Sequence, residues 1–385
     1  MGTFPPEPQD RAAAVGAAAY PGEVTSVGLG LPTVPPARPR RASRPRPAGE
    51  TGLLDSFGRR ARDLRVSLTD RCNLRCSYCM PPEGLPWLPG PELLSAEETV
   101  RLITLAVRDL GIEEVRFTGG EPLLRKDLPG LVAGTSALRT PDGRRVRTAL
   151  TTNGVGLDRR AADLAQAGLD RVTISLDSLR RDRYLTITHR DRLHDVLAGV
   201  DAALAHGLGP VKVNALVVRG VNDDEAVELV RWACTTGVEL RIIEHMPLDA
   251  QGAWDRDAMV TAEEVLAQLS TAFELEPVEN RGSAPAERWY VSEGGERLGT
   301  VGVIASVTRP FCGDCDRMRL TADGQVRNCL FSSGGTDLRA LLRSGADDHA
   351  VAEAWRGNAW AKKAGHGSDD ETFVRPDRPM SAIGG

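Results

Sequence analysis

The stretch DLRVSLTDRCNLRCSYCMP, residues 63–81, joins a predicted β-strand to a cluster of cysteines. Polar and apolar residues alternate in DLRVSLTD, as in a strand with one buried face. Cys72, Cys76 and Cys79 then follow within eight positions. Three thiols this close can bind zinc, form a disulfide or hold an iron–sulfur cluster, but structural zinc needs four ligands and a disulfide would leave one thiol over. A [4Fe–4S] cluster on three cysteines leaves one iron free to bind another molecule.

Strand-like segments continue along the chain and alternate with amphipathic helices. They are EEVRFTGG (113–120), RVRTALTTNG (145–154), DRVTISLDS (170–178), PVKVNALVVRG (210–220) and VELRIIEHMP (238–247). The helix after the first strand has a capping box at its start, formed by Ser95 and Glu98. Six strands alternating with helices predict a parallel sheet with right-handed crossovers.

Polar residues recur at every second position of these strands, so they share one face of the sheet. They include Arg65, Ser67, Thr69, Arg116, Thr118, Thr173, Ser175, Asp177, Lys212 and Asn214. A closed eight-stranded barrel is instead filled with branched aliphatic residues. The sequence therefore predicts an α/β fold, an incomplete (β/α)6 barrel of the TIM type, over residues 56–270. Residues 271–385 are predicted to form a C-terminal region with antiparallel strands at 288–306.

Composition limits the classes of function. The 385 residues carry a net charge of −5, which disfavours a nucleic-acid-binding surface, and no apolar run approaches the ~18 residues of a membrane helix. Residues 1–55 are rich in proline, alanine and arginine, which predicts a disordered tail. An organelle transit peptide is the competing interpretation of this segment, and we expect a cytoplasmic protein.

A second cysteine group, Cys312, Cys315 and Cys329, lies in the C-terminal region and again supplies three ligands. A zinc ribbon that borrows a distant histidine or Cys234 is one interpretation. Cys234 lies in an amphipathic helix, where a free cysteine is usually a small core residue. A second iron–sulfur cluster is the other interpretation.

The first cysteine group resembles the signature of the radical S-adenosylmethionine (SAM) superfamily. Tyr78 stands before the third cysteine, as an aromatic residue does in that signature, and GGEP follows at residues 119–122. The resemblance implies a fold of the radical SAM kind, in which the free iron chelates SAM. One electron from the cluster then cleaves SAM to methionine and a 5′-deoxyadenosyl radical.

The segment VTRPFCGDCDRMRLTADGQVRNCLF, residues 307–331, closely resembles the GTP 3′,8-cyclase family of molybdenum cofactor biosynthesis. The resemblance runs from about Asp63 to Gly385 and implies two [4Fe–4S] clusters, ligated by Cys72, Cys76, Cys79, Cys312, Cys315 and Cys329. It implies SAM contacts at Tyr78, Gly120, Ser175 and Met246. It implies GTP contacts at Arg65, Arg116, Thr151, Lys212, Arg317, Met318 and Arg319.

Catalytic roles are implied for Arg65, Arg317, Arg319 and the terminal Gly384 and Gly385. Arginine suits a triphosphate because its planar fork meets phosphate oxygens bidentately. The expected partners are GTP and a reductant, with no nucleic acid or membrane. A homodimer and docking of the next enzyme, cyclic pyranopterin monophosphate synthase, are left open. A radical SAM peptide-modifying enzyme and a non-catalytic protein with two zinc sites are the alternative functions.

Overall fold

The predicted alternation of strands and helices is present in the computed structural model, which describes residues 45–368, 373, 375–376 and 378–384. The six predicted parallel strands are β1 Asp63–Ser67, β2 Glu114–Thr118, β3 Arg147–Thr152, β4 Arg171–Ser175, β5 Lys212–Leu216 and β6 Glu239–Ile243. The helices of this part are α1 Ala96–Asp109, α2 Leu128–Ser136, α3 Ala161–Gln166, α4 Arg181–Thr188, α5 Leu193–Ala205, α6 Ala226–Thr236 and α7 Ala262–Ser270.

The C-terminal region contributes six more strands to the same sheet. They are β7 Glu274–Pro277, β8 Glu287–Glu293, β9 Glu296–Ile304, β10 Arg317–Leu320, β11 Gln325–Arg327 and β12 Thr336–Asp337. The helices that the structure describes in this region are α8 Leu338–Arg343, α9 Asp348–Trp360 and α10 Met380–Ile383. The antiparallel hairpin expected at residues 288–306 is present as β8 and β9.

The sheet is open, and the strand order explains its barrel-like half. The order is β12-β11-β10-β1-β2-β3-β4-β5-β6-β9-β8-β7, so β1 to β6 lie side by side in chain order. Sequential parallel pairing is the order of a barrel, whereas a doubly wound sheet reverses at a switch point. The terminal strands β12 and β7 do not pair, which leaves the barrel incomplete, as predicted.

Both edges of the barrel are extended by strands from the C-terminal region. Strand β10 pairs in parallel with β1, and β9 pairs in parallel with β6. One sheet therefore runs through both of the predicted regions, and the chain from Pro45 onwards forms one compact unit.

Local signals explain where the helices begin. The predicted capping box of Ser95 and Glu98 precedes α1, and Thr261 and Glu264 form a second one before α7. The apolar faces of the helices pack on the outer face of the strands, which leaves the inner face for polar residues.

The folded unit begins before the predicted end of the tail. Leu53 is buried, and its backbone N–H donates to the carbonyl of Leu110 at 3.3 Å. Asp55 is buried as well and pairs with Arg59. Residues 53–55, predicted to belong to the tail, are thus part of the fold, whereas residues 1–44 lie outside the described residues. None of the described helices is long and apolar enough to cross a bilayer.

Candidate active site

The first cysteine group lies on the loop that follows the carboxyl end of β1. The N–H groups of Cys79 and Met80 both donate to the carbonyl of Cys76, at 2.8 and 3.0 Å, which closes a tight turn. Burial raises the pKa of Cys72 to about 11 and that of Cys79 to about 12. A buried thiol gives up its proton when a metal binds it, and three such thiols on one turn fit the donor set of a cluster with an open iron.

Polar groups from other strands surround the sulfur atoms of the first group. The amide Nδ2 of Asn153 lies 3.8 Å from Cys72 Sγ, and Ser381 hydrogen-bonds to Cys79 through its backbone and side chain. Tyr78 donates its hydroxyl to Asp177 at 2.8 Å. Burial raises the pKa of Asp177 to about 6. These contacts, made by residues near the strand ends, orient the cysteine loop. Side chains that ligate a metal need such supporting contacts around them.

The GGEP turn is held directly against the cysteine loop. The N–H of Gly120 donates to Thr69 O at 2.7 Å, and a Cβ on Gly120 would lie 2.3 Å from Arg71 O. Only glycine permits this approach of two backbones. Glu121 is fully buried, and its carboxylate accepts from Leu123 N, Thr152 Oγ1 and Asn153 N at 2.7–2.9 Å.

The candidate SAM residues come together at the carboxyl ends of the parallel strands. Tyr78 and Gly120 follow β1 and β2, Ser175 ends β4, and Met246 lies just after β6. This is the edge of the sheet where parallel α/β folds place their ligands. Their contacts with SAM stay a prediction.

A row of arginines crosses the inner face of the sheet within strands β10, β1 and β2. Arg319 of β10, Arg65 of β1 and Arg116 of β2 are in register on three adjacent strands. Arg65 Nε is buried without a hydrogen-bond partner among the described residues. Burial first, and then the neighbouring guanidinium of Arg319, lowers the pKa of Arg65 well below its usual range. Cations so placed favour a bound anion.

The row continues with polar residues on the next strands. Arg116 donates to Thr173 Oγ1 at 3.2 Å and to Thr151 Oγ1 at 3.5 Å, and Thr173 is in register with Lys212. Burial, and then the charge of Arg241, lowers the pKa of Lys212 to about 8. The structure thus brings together the predicted GTP residues Arg65, Arg116, Thr151, Lys212 and Arg319.

Two further predicted residues on β10 point in opposite directions. Arg317 lies on the same face as Arg319, two positions away, and its guanidinium carbon is 4.3 Å from the ring centre of Phe311. Met318 is 1% exposed and packs in the hydrophobic core on the outer face. Its side chain is therefore not brought to the arginine row, and only its backbone borders the inner face.

The second cysteine group forms at the amino end of β10. Cys312 begins a short 3-10 turn, Cys312–Asp314, and Cys315 follows this turn directly before β10. Cys329 follows the antiparallel strand β11, which returns to the same end. All three line a cavity of about 580 Å³. Among the described residues, no three His, Cys, Asp or Glu side chains are placed to hold a single metal ion. The residues present, three thiols around one cavity, fit a cluster.

The two cysteine groups lie at opposite ends of the inner face. The first follows the carboxyl end of β1, the second precedes the amino end of β10, and these two strands are parallel. The arginine row lies between the groups along the strands. A molecule bound to this row would extend from one group towards the other.

The C-terminal segment enters the same inner face. Ser67 Oγ donates to the carbonyl of Ile383 at 3.0 Å, and Arg319 donates to the carbonyl of Gly384. A Cβ on Gly384 would lie 2.3 Å from Ser67 Oγ, so glycine is needed there. Arg378, earlier in the same segment, forms a bidentate ion pair with Asp323 at 2.8 and 2.9 Å, which holds the segment in place. Gly385 lies outside the described residues.

Several residues around the site were not found by sequence reasoning. Asn153 lies in the TTNG loop, whose place after a strand was a usable signal. Asp177 was placed on the polar face of the strands by its spacing, but its hydrogen bond from Tyr78 was not predicted. Lys362, which contacts Cys315, lies beyond the end of α9, and no motif marks it.

Comparisons with known proteins agree with this geometry. A family model described as "Radical SAM superfamily" matches residues 66–233, and one described as "Molybdenum Cofactor Synthesis C" matches residues 238–368. A GTP 3′,8-cyclase of Streptomyces coelicolor is 61% identical over 348 residues, which cover 90% of this chain and 99% of that protein. A GTP 3′,8-cyclase of Corynebacterium glutamicum is 58% identical, over 88% of this chain and 90% of that protein.

A solved structure supports the fold independently. The crystal structure of Streptococcus suis SuiB superposes with a TM-score of 0.52 at 14% identity, covering 77% of this chain and 65% of that chain. At this identity the likeness concerns the fold alone. The relatives named above are similar along nearly their whole length, and the chain therefore belongs to the GTP 3′,8-cyclase family of the radical SAM superfamily.

Proposed function

We propose that this protein converts GTP into (8S)-3′,8-cyclo-7,8-dihydroguanosine 5′-triphosphate, the first step of molybdenum cofactor biosynthesis. The observation that carries the proposal is the row of Arg319, Arg65 and Arg116, which lies between two three-cysteine groups. Glu114 pairs with Arg116 at 3.3 Å, whereas a nucleoside triphosphate would supply anions to Arg65 and Arg319 and has the length to extend from them. A site with buried Arg116 and Arg319 and half-buried Arg65 favours an anionic substrate over an uncharged peptide.

The proposal includes two [4Fe–4S] clusters. Cys72, Cys76 and Cys79 would hold the cluster that binds SAM, with Tyr78, Gly120, Ser175 and Met246 around it. Cys312, Cys315 and Cys329 would hold the second cluster. When bound, the first cluster and SAM would supply a 5′-deoxyadenosyl radical that removes a hydrogen atom from C3′ of the ribose. After C3′ bonds to C8, one electron from the reductant and one proton would complete the product.

The protein itself binds, orients and shields the substrate. Arg65, Arg317 and Arg319 would hold the triphosphate, with Arg116, Thr151 and Lys212 beside it. With the triphosphate held by the row, the proposal places the ribose towards the first cysteine group and the base towards the second. A carbon radical reacts with whatever atom is nearest, so this orientation decides that C3′ bonds to C8 of the same guanine.

An anaerobic assay tests the proposal. Enzyme with reconstituted clusters is reduced with dithionite, supplied with SAM, and assayed for 5′-deoxyadenosine with GTP, with ATP and without nucleotide. We expect formation that depends on GTP, together with a product that is isomeric with GTP. Equal SAM cleavage in all three mixtures from fully loaded enzyme would contradict the proposal and favour the peptide-modifying alternative.

A further inference from the structure

Lys362 is a buried ammonium group directed at the second cysteine group. Its side chain is 6% exposed, and it follows the last turn of α9. The ammonium Nζ lies 3.2 Å from Cys315 Sγ, 3.2 Å from Cys315 O and 2.8 Å from Arg317 O. A buried ammonium needs such partners, because burying an isolated charge is very costly.

Only one of these three partners can carry a negative charge. The carbonyl oxygens of Cys315 and Arg317 are neutral, whereas Cys315 Sγ becomes a thiolate when it ligates a metal. Among the described residues, no carboxylate is hydrogen-bonded or ion-paired to Lys362. Glu353 pairs with Arg356, and Asp316 accepts from Ser283. The charge of Lys362 is therefore balanced by the sulfur of Cys315.

The first cysteine group has a different environment. The donors described on its sulfur atoms are the backbone of Leu74, the amide of Asn153, the hydroxyl of Tyr78 and the groups of Ser381, all of them neutral. The charge of Arg75 also acts on Cys72, but its guanidinium donates to the carbonyl of Cys72 and not to the sulfur. Hydrogen bonds and charges at the ligating sulfur atoms are among the main determinants of a cluster's reduction potential. The reduction potentials of the two clusters would thus be set by different contacts.

We propose that Lys362 is the counter-ion of the second cluster and raises its reduction potential. Reduction adds an electron to the cluster and its thiolates, and a fixed ammonium 3.2 Å from one sulfur stabilises the added charge. Lys362 is a positioning residue, since it contacts a ligand and not the substrate. Through Arg317 O it also fixes the start of β10, which carries Arg317 and Arg319.

The inference rests on the proposed second cluster, so the test first isolates that cluster. In the full-length triple variant Cys72→Ala, Cys76→Ala and Cys79→Ala, the cysteines that remain are Cys312, Cys315 and Cys329 of the second group and Cys234, which lies on α6 against Gly299. Anaerobic reconstitution followed by iron and sulfide analysis shows whether a cluster forms. If this variant holds no iron, the proposed second cluster fails, irrespective of Lys362.

Lys362→Met is then compared with Lys363→Met in this background. Lys363 is the matched control, because it is the next residue, lines the same cavity and is exposed. The midpoint potential is measured by redox titration followed by electron paramagnetic resonance. We expect Lys362→Met to shift the potential to more negative values and to change the spectrum, and Lys363→Met to leave both unchanged. An unchanged potential in a fully loaded Lys362→Met protein would overturn the proposal.

Loss of the cluster from Lys362→Met would be resolved by two further variants. Lys362→Arg keeps the positive charge, and Lys362→Gln keeps a neutral donor of similar length. Retention of iron by the arginine variant alone would support the role of the charge. Equal loss of iron from both would show that only the packing of the lysine matters, and would overturn the proposal.

Discussion

Arg65 of β1 and Arg319 of β10 lie opposite each other on adjacent parallel strands, with like charges side by side. Like charges on adjacent strands repel; Arg319 is buried and Arg65 is half-buried. Burial, and then neighbouring charges, lowers the pKa of Arg65, and burial is the first cause that lowers the pKa of Arg319 to about 10. Such an arrangement favours a bound anion, which supports the proposed triphosphate site.

We expect Arg319→Ala to weaken GTP binding while both clusters are retained. Loss of one charge-assisted contact should cost about 1.5–3 kcal/mol, or roughly 10- to 150-fold in Kd. Equilibrium dialysis under anaerobic conditions measures this. Arg101→Ala is the control, because Arg101 pairs with Asp348 on the surface. Wild-type affinity in Arg319→Ala would remove Arg319 from the site.

Cys76→Ala should abolish SAM cleavage, because the first cluster loses one of its three ligands. The readout is 5′-deoxyadenosine formed by the reconstituted enzyme. Cys234→Ala should leave cleavage unchanged, since Cys234 lies on α6 against Gly299, away from both cysteine groups. Normal cleavage by the Cys76 variant would refute the ligand assignment.

GTP affinity should decrease as the pH rises through about 8. Burial lowers the pKa of Lys212 from 10.5 to about 8, so its ammonium loses its proton above that pH. An anion binds the charged form, and the decrease should not exceed about tenfold per pH unit. Lys212→Arg should flatten the profile, because guanidinium keeps its charge. Equal pH profiles for both proteins would show that Lys212 does not carry the dependence.

The same shift predicts an opposite effect on stability. The folded protein holds the Lys212 proton less tightly than the unfolded chain does, so the unfolded chain binds more protons between about pH 8 and 10.5. The contribution of Lys212 to the free energy of unfolding therefore increases with pH in that window. Comparing denaturant unfolding of wild type and Lys212→Met across it isolates this contribution.

Gly120→Ala should disrupt both the cysteine loop and SAM binding. The added Cβ would lie 2.3 Å from Arg71 O and 2.5 Å from Asp70 O, and backbone atoms cannot turn aside as a side chain does. We expect a loss of about 1–3 kcal/mol of stability and reduced iron content. Gly130→Ala is the control, since its Cβ in α2 meets nothing within 4 Å and should stabilise by about 0.5–1 kcal/mol. Equal iron content in both variants would contradict this close approach.

Sequence patterns were sufficient to predict the local elements of the fold. The capping box of Ser95 and Glu98 and the six parallel strands occur where they were predicted, because caps and periodicity depend on residues a few positions apart. The cysteine spacings identified both candidate groups for the same reason. The polar period within the strands identified the inner face before any pairing was known.

The tertiary structure decided what no local pattern encodes. Pairing of β10 with β1 brings Arg319 beside Arg65 and places the second cysteine group at the opposite end of the inner face from the first. The contact of Lys362 with Cys315 likewise joins residues that share no motif. The spacing of residues along the sequence determines which side chains share one loop or one face of a strand. The position of a distant segment depends on which sheet edge remains unpaired and which buried charge still needs a partner, and both are properties of the whole fold.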